Sequence, residues 1–317
     1  MKIFSRVLFV AVTVCIGLGV FTVAAAEAET EDEKVYGDMT YVSYEDHIAI
    51  TKYRGPENAG RVIVPEKIDG LPVTEIGGGA FIMSSIKSIS LPDSIKSIKN
   101  SAFSSSSISE IDIPEGVTAI DSTVFNACAN LKRVGLPSGL KSIGTSAFNG
   151  CESLEAIDIP DGVERINSNA FYGCSSLEEV TIPNSVTRID SSAFFNCSSL
   201  DMVVIENPSC SMPRLRIFSN GSDENGSSYF NGTIYGYEDS TAQEHATKFN
   251  LNFALIGEKL KGDLNYDGIV DTQDVVIMKK YLVGLSGLKN SQCECADMND
   301  DEIVNVFDLI FLKIAVM

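Results

Sequence analysis

Apolar residues recur through the middle of the chain with a nearly constant step. Six phenylalanines, five of them preceded by alanine, are spaced 22, 22, 23, 23 and 23 residues apart. Prolines and isoleucines repeat with the same step around a short run of alternating apolar and polar residues. The markers are Phe81, Phe103, Phe125, Phe148, Phe171 and Phe194, Pro92, Pro114, Pro137, Pro160 and Pro183, and Ile98, Ile120, Ile143, Ile166 and Ile189. A repeat of this length predicts a solenoid, in which each unit buries its apolar edge only against its neighbours.

One unit shows how the pattern predicts structure. Ile157 and Ile159 flank Asp158, and Pro160 ends the run because proline has no N–H to donate to a neighbouring strand. Short strands of this kind stack at about 4.8 Å per coil into a parallel sheet. The Leu, Ile and Phe markers then form a continuous core, and the polar residues around each Ala-Phe pair form the return turn. Residues 41–65, which alternate apolar and polar positions, are predicted to form a β cap over the first coil.

These repeats resemble the bacterial surface-antigen class of leucine-rich repeats, often called BspA-like, over residues 73–208. Residues 233–242 are similar to the closing cap that follows such arrays, so we predict a leucine-rich-repeat domain with both caps over 36–257. The resemblance implies a binding or adhesion scaffold for a protein or a glycan. The outward strand positions, which converge on no common chemistry and favour a solvated sheet face, are Ser90, Asp112, Gly135, Asp158, Thr181 and Val204.

Four cysteines follow the phenylalanines by three residues and would stack in neighbouring coils. They are Cys128, Cys151, Cys174 and Cys197, and the first two units carry Ser84 and Ser106 at this position. A disulfide or metal ladder is one interpretation. A small inward-facing position is the simpler one, because the position also accepts serine and a free cysteine behaves as a small apolar residue. Two further cysteines, Cys293 and Cys295, are assigned no role.

The first 26 residues have the order of a secretory signal peptide. Lys2 and Arg6 precede an apolar run from Val7 to Val23, and alanines follow up to Ala26. An uncleaved membrane anchor is the alternative, since a run of about 17 apolar residues approaches the minimum for a membrane span. We expect cleavage and a secreted, extracellular protein.

Charge and composition narrow the range of partners. The chain has a formal net charge of −19 and contains no tryptophan. Nucleic acids and anionic membrane surfaces are disfavoured because they require clustered lysine and arginine. The lack of tryptophan weakens the case for a sugar-stacking platform, and the acidic balance suits an extracellular protein that holds cations.

A twelve-residue acidic loop begins after the repeats. Alternating oxygen ligands, a glycine at the sixth position and a backbone carbonyl at the seventh are typical of a loop that wraps a hard cation. The predicted ligands are Asp263, Asn265, Asp267, the carbonyl of Ile269, Asp271 and Asp274, with Gly268 at the turn. Because four aspartates repel each other without a cation, we expect calcium to order this segment.

A second loop starts 34 residues after the first. Its predicted ligands are Asp297, Asn299, Asp301, the carbonyl of Ile303, Asn305 and Asp308. Glu302 stands at the sixth position, where a side chain in the left-handed conformation costs about 1 kcal/mol. Only three of these ligands are carboxylates, so we predict two calcium ions, the second bound more weakly.

Each loop is followed by an apolar helical stretch, and no clear helix precedes either loop. The arrangement over 262–317 resembles the dockerin module of cellulosomes, and we place this domain, small and all-α, at 258–317. The resemblance implies that calcium-ordered helices dock onto a cohesin module of a scaffoldin. It places the partner-binding residues at loop positions ten and eleven and on the following turns: Thr272, Gln273, Val276, Lys279 and Lys280, and Val306, Phe307, Ile310 and Lys313. The first set is more polar than the second, which suggests one preferred docking orientation.

The sequence gives little support for catalysis. Its two histidines, His47 and His245, lie outside the repeats, and no nucleophile elbow, His-Glu-x-x-His run or phosphate loop occurs. A glycoside hydrolase or another polysaccharide-degrading component of a cellulosome is the alternative, because dockerins often carry such enzymes and paired carboxylates can be distant in the chain. We predict a non-catalytic subunit whose tail provides the tether and whose repeats recognise a ligand.

Overall fold

The structure, a computed structural model, describes most of the chain. The described residues are 11–16, 19–24, 33–56, 60–213, 216–222, 226–256, 261–264, 270–284, 287–288, 293 and 295–316. Within these ranges no helix is long and apolar enough to cross a membrane. In the predicted signal peptide, strands β1 (Ala11–Ile16) and β2 (Gly19–Ala24) pair as an antiparallel hairpin.

An N-terminal cap precedes the repeats. Its strands are β3 Lys34–Tyr36, β4 Met39–Ser43, β5 Ile48–Tyr53, β6 Arg61–Ile63, β7 Lys67–Ile68 and β8 Leu71–Ile76. Strands β3, β4 and β5 pair antiparallel, and β8 then pairs with β5 in parallel. The inward side chains Ile48, Ile50 and Val73 are completely buried. The cap therefore covers the first coil and sets the strand direction that the coils continue.

The coils stack as parallel strands, which confirms the predicted solenoid. They contribute β9 Ser88–Ser90, β10 Ser97–Ile98, β11 Glu110–Asp112, β12 Ala119–Ile120, β13 Arg133–Gly135, β14 Ser142–Ile143, β15 Arg165–Ile166, β16 Glu179–Ile182, β17 Arg188–Ile189 and β18 Met202–Ile205. One sheet has the order β13-β11-β9-β6, and a second column of short strands has the order β12-β14-β15-β17. Each inward residue thus lies above its equivalent in the preceding coil.

The repeated phenylalanines form one continuous stack through the core. Consecutive rings from Phe81 to Phe194 have centroids 5.0 to 5.5 Å apart and nearly parallel planes. Tyr53 of the N-terminal cap and Phe218 after the last full coil extend the stack at 5.5 and 5.8 Å. Stacked aromatic rings of this kind contribute both buried area and a specific contact geometry, so they fix the register between coils.

The return turns carry a third inter-coil ladder. The N–H groups of Thr123, Phe125 and Ala127 donate to carbonyls of the next coil at 2.9, 2.8 and 2.6 Å. The first and third of these residues have left-handed backbones, with φ of 58° and 57°. The two left-handed residues lie four positions apart, at the two ends of the segment, and every second N–H from Thr123 to Ala127 points along the solenoid axis. Strand periodicity alone did not predict this ladder.

One predicted strand is absent. The run Ile157-Asp158-Ile159 has no strand assignment and separates the β6–β13 sheet from a second four-stranded sheet, which continues into the C-terminal part. Ile157 and Ile159 are nevertheless buried, at 3% and 9% exposure. At this coil the packing of the two inward isoleucines, rather than strand hydrogen bonding, keeps the register.

The C-terminal part closes the solenoid and continues into the tail. It contains β19 Gly221–Ser222, β20 Ser228–Tyr229, β21 Thr233–Gly236, helix α1 Thr241–Phe249 and β22 Asn252–Leu255, followed in the tail by helices α2 Thr272–Leu282 and α3 Val306–Val316. Strands β21 and β22 add in parallel to the second sheet, whose order is β16-β18-β21-β22. Ser240 caps the N-terminus of α1, and left-handed Asn250 ends the helix.

Candidate calcium-binding and docking module

The first predicted loop is described at its two ends. Asp263 is buried at its start, and Asp271 and Asp274 begin helix α2 at its end. The predicted ligands Asn265, Asp267 and Ile269, and Gly268 between them, lie outside the described residues.

Asp274, at the twelfth loop position, links the two ends of this loop. One of its carboxylate oxygens accepts the N–H of Leu264 at 2.7 Å, and the other accepts the N–H of Asp271 at 2.8 Å. Asp271 in turn accepts the N–H of Gln273, which completes a capping box at the start of α2. The Asp274 side chain is completely buried, so this carboxylate holds the loop closed and starts the helix at the same time.

The second loop is closed in the same way. Asp308 is also completely buried and accepts the N–H groups of Met298 and Asn305, both at 2.8 Å. Each of these three residues lies 34 positions after its counterpart in the first loop. The two halves of the tail therefore have the same local design.

The turn of the second loop is organised around Asp297. Its two oxygens accept the N–H groups of Asp301 at 3.1 Å and Glu302 at 2.8 Å. Partial desolvation raises the pKa of Asp297, but the backbone N–H groups of Glu302, Asp301 and Asp300 outweigh it and hold the pKa below its ordinary value. Glu302 has a φ of 63°, so a non-glycine residue does adopt the left-handed conformation at the sixth position.

The oxygen donors of the second loop suit a hard cation such as calcium. The ligands would be the carboxylates of Asp297 and Asp301, the amide of Asn299 and the carbonyl of Ile303. Asn305 uses its side-chain oxygen to accept the N–H of Phe307 at 2.8 Å, which suits a contact to the ion through water. Among the described residues no three His, Cys, Asp or Glu side chains form a ready-made metal-binding group.

The predicted partner-binding residues all lie on the exposed faces of α2 and α3. They are Thr272, Gln273, Val276, Lys279, Lys280, Val306, Phe307, Ile310 and Lys313. On α3 the exposed set is strongly apolar, because Phe307, Phe311 and Ile314 are 61%, 48% and 63% exposed. The sequence interpretation missed Phe311 and Ile314, although their spacing from Phe307 is that of one helix face.

The opposite faces of the two helices form the core of the tail. It consists of Leu264, Val275, Met278, Cys295, Ala296, Leu309 and Leu312, together with Val204 of strand β18. Gly262 enters this core with a φ of 96°, and a Cβ atom there would lie 2.7 Å from Leu312. Only glycine fits this entry point. Cys295 is a buried core residue, and Cys293 is partly exposed.

The four stacked cysteines of the solenoid are free thiols inside the core. The Sγ atoms of Cys128, Cys151, Cys174 and Cys197 each donate to the carbonyl of the preceding coil's phenylalanine, at 3.0 to 3.2 Å. Burial raises the pKa of all four thiols, and that of Cys197 to about 12. The thiols therefore stay protonated near neutral pH, where they neither attack nor ligate. The small inward-facing interpretation agrees with this geometry.

Comparison with known families covers both regions of the chain. The model of the BspA type leucine rich repeat region matches six copies, over residues 74–201 and 127–225. The model of the dockerin type I domain matches residues 261–317.

The chain carries BspA-type leucine-rich repeats and a dockerin type I domain. Dockerin type I domains bind calcium and imply a cohesin partner, and leucine-rich repeats imply protein interaction. Both matched domains are non-catalytic, and both point to an extracellular or cell-surface protein.

Several solved structures are similar to the repeat part. A leucine-rich repeat protein of T. pallidum is 24% identical with a TM-score of 0.42, and the alignment covers 70% of this chain and 98% of that protein. A leucine-rich repeat protein from Bacteroides ovatus is 21% identical with a TM-score of 0.37, covering 72% of this chain and 79% of that one. The pneumococcal vaccine antigen PcpA is 14% identical with a TM-score of 0.28, covering 73% and 100%. No curated protein matches this chain.

Proposed function

We propose that this protein is a secreted, non-catalytic subunit of a cellulosome-like assembly. Its dockerin binds two calcium ions and docks onto a cohesin of a scaffoldin, while its repeats recognise a protein or a plant cell-wall glycan. The proposed calcium ligands are the six residues predicted in each loop. They are Asp263, Asn265, Asp267, Ile269, Asp271 and Asp274 in the first loop, and Asp297, Asn299, Asp301, Ile303, Asn305 and Asp308 in the second.

The observation that carries this proposal is the paired closure of the two loops. Asp274 and Asp308 make the same two backbone contacts 34 residues apart, and each closure begins a helix whose outer face is exposed. An ion held in a loop would therefore fix the direction of the helix that follows it. Calcium would act as a structural switch that presents both helix faces to a partner.

The two faces offer a cohesin different chemistry. Helix α2 presents Thr272, Gln273 and two lysines, whereas α3 presents Phe307 and Ile310 beside further exposed apolar residues. Well-packed aromatic anchors contribute most of the energy of an interface, and lysines at the rim mainly guide association. We propose that α3 supplies the central contact and α2 the rim, so that one orientation dominates.

The test is a calcium titration of the full chain by calorimetry, followed by binding to a panel of cohesins with and without chelator. We expect two bound ions and calcium-dependent binding to at least one cohesin. Phe307→Ala should weaken that binding by about 10-fold or more, the typical effect of losing an aromatic anchor. Gln273→Ala, 34 residues earlier at the equivalent position of α2, is the matched control and should change cohesin binding by less.

Two results would contradict the proposal. If calcium binds but no cohesin does in either condition, the tail is a calcium module without this partner. If no calcium binds, the loop assignment itself is wrong. A pull-down with plant cell-wall polysaccharide and with protein baits then distinguishes the two ligand classes of the repeats.

A further inference from the structure

The outward side chains of the longer strands change from charged to apolar near the C-terminal end of the solenoid. Asp112 and Asp158 occupy outward positions in the middle coils and are exposed. Val204 occupies the equivalent position on β18, in register with Thr181 of the preceding coil, yet it is only 2% exposed. The solvated face predicted for all six outward positions is therefore wrong at Val204.

The cover over Val204 is the dockerin. Val204 does not join the solenoid core but belongs to the tail cluster with Leu264, Val275 and Met278. Met202 and Tyr235, which lie on β18 and on its neighbour β21, pack against the same cluster, as does Ile256 after β22. Three neighbouring positions at the end of the sheet are thus apolar where the middle coils carry charges.

We propose that the last coils of the solenoid form a built docking surface for the chain's own dockerin. The occupant is the tail of the same chain, described over residues 261–264, 270–284 and 295–316, which is seated through its hydrophobic core and not through its exposed helix faces. Val276 on α2 and Phe307 and Ile310 on α3 remain 48%, 61% and 47% exposed in this position. The dockerin can therefore engage a cohesin while it stays seated, and the repeats project from the assembly in a fixed direction.

Seating also depends on the first calcium loop, and this step rests on the proposed function. Leu264 is both the second residue of that loop and a completely buried member of the shared cluster. Its N–H is held by Asp274, the residue that closes the loop. An ion that orders the loop therefore also orders one side of the contact with Val204. Calcium should strengthen the seating as well as the docking.

The experiment compares two substitutions at outward positions of apolar residues in the full chain. Val204→Asp places a charge in the proposed contact, and Ile63→Asp places the same charge on β6, where Ile63 is 67% exposed. With calcium present, we expect Val204→Asp to raise the rate at which trypsin releases the tail by about tenfold, because it removes a buried valine and desolvates a charge. Small-angle scattering should show a larger radius of gyration for this variant. Ile63→Asp should match the parent in both measurements.

Calorimetry on the same samples separates the possible failures. Calcium binding that persists in Val204→Asp, with an affinity lower than in the parent because calcium and seating strengthen each other, shows that the tail still folds, so faster release then reports loss of seating. If release rate and scattering are equal in all three proteins, the docking surface does not exist in solution. If the parent binds no calcium, the proposed function fails, while the difference between the two variants still decides the seating.

A milder variant covers the case in which Val204→Asp unfolds the solenoid. Val204→Thr keeps the shape of the side chain and replaces one methyl group by a hydroxyl. We expect a smaller rise in release rate with unchanged thermal unfolding of the repeats. A release rate equal to that of the parent in this variant, when Val204→Asp cannot be measured, overturns the proposal.

Discussion

The solenoid and the dockerin bury apolar surface in different ways. The solenoid repeats one small unit until phenylalanines, isoleucines and leucines form a core that runs from the N-terminal cap to Ala246. Among the residues that the structure describes, the dockerin's cluster contains eight buried residues, one of which, Val204, comes from the solenoid. A domain of this size buries too little apolar surface to be secure alone and commonly relies on a metal or a neighbour.

The polar groups differ in the same way. In the solenoid, backbone N–H groups and even the cysteine thiols donate to carbonyls of adjacent coils. In the dockerin, carboxylates such as Asp274, Asp297 and Asp308 accept the backbone N–H groups of their own loops. Stacking thus satisfies polar groups by repetition, whereas the dockerin gathers negative charge that a cation must balance. We therefore expect the solenoid to be indifferent to ions and the dockerin to depend on them.

Removing calcium should produce the largest difference in behaviour between the dockerin and the solenoid. At a calcium concentration of 100 times the dissociation constant, the ion favours the ordered tail about 100-fold, and a chelator removes this contribution. Cohesin binding should then be lost, while thermal unfolding of the repeats, followed by circular dichroism, should stay unchanged. A solenoid that melts at a markedly lower temperature with chelator would contradict the comparison.

A break in the aromatic stack should affect only the solenoid. Phe148→Ala removes a completely buried ring that stacks on Phe125 and Phe171, and it should lower the free energy of unfolding by about 3–5 kcal/mol. Phe195→Ala is the control, because this ring is only partly buried and stacks on Tyr172 at the edge. Denaturant unfolding measures both variants, and equal losses would show that the stack has no special role. Calcium binding should not change in either.

Low pH should loosen the C-terminal cap through His245. This ring lies 4.7 Å from Phe249 and is 5% exposed, and burial, with help from Lys248, lowers its pKa from 6.5 to about 4. The unfolded chain binds a proton more readily, so this contribution is complete above pH 6.5 and is lost as the pH falls toward 4. The loss is at most about 3 kcal/mol.

The measurement is thermal unfolding of the repeats between pH 7 and pH 4. His245→Phe should flatten the part of the pH dependence that His245 causes. His47→Phe is the control, since His47 lies in the N-terminal cap next to Asp46, at a partly exposed position. If the unfolding temperature of His245→Phe depends on pH as that of the parent does, groups other than His245 cause the pH dependence.

The smallest expected effect sharpens the comparison within the dockerin. Glu302→Gly relieves the left-handed backbone at the sixth position of the second loop, which costs about 1 kcal/mol for a non-glycine residue. Calorimetry should show about fivefold tighter calcium binding at this site, which we predict to be the weaker of the two. Glu302→Gln removes the charge but keeps the strain, so it should not tighten binding. If both variants act alike, charge and not backbone geometry limits this loop.

Features that come from repetition or from a local ligand pattern were the ones most open to prediction from the amino-acid sequence. Residues spaced by 22 or 23 positions, such as Phe125 and Phe148, must coincide in stacked coils, so the core and the strand direction followed from the period. The two loops could be predicted for a similar reason, since a twelve-residue loop contains its own turn and most of its own ligands.

The packing of elements against each other became known from the three-dimensional structure. Ile157 to Ile159 has the strand pattern but no strand pairing, because hydrogen bonding depends on both neighbouring coils. Val204 was predicted to face solvent like the other outward residues, but the dockerin covers it. Phe311 and Ile314 were not predicted as partner-facing residues, and the orientation of α3 leaves them exposed to solvent. Burial of an apolar side chain depends on contacts made by residues far away in the chain, and the local pattern of one segment carries no record of them.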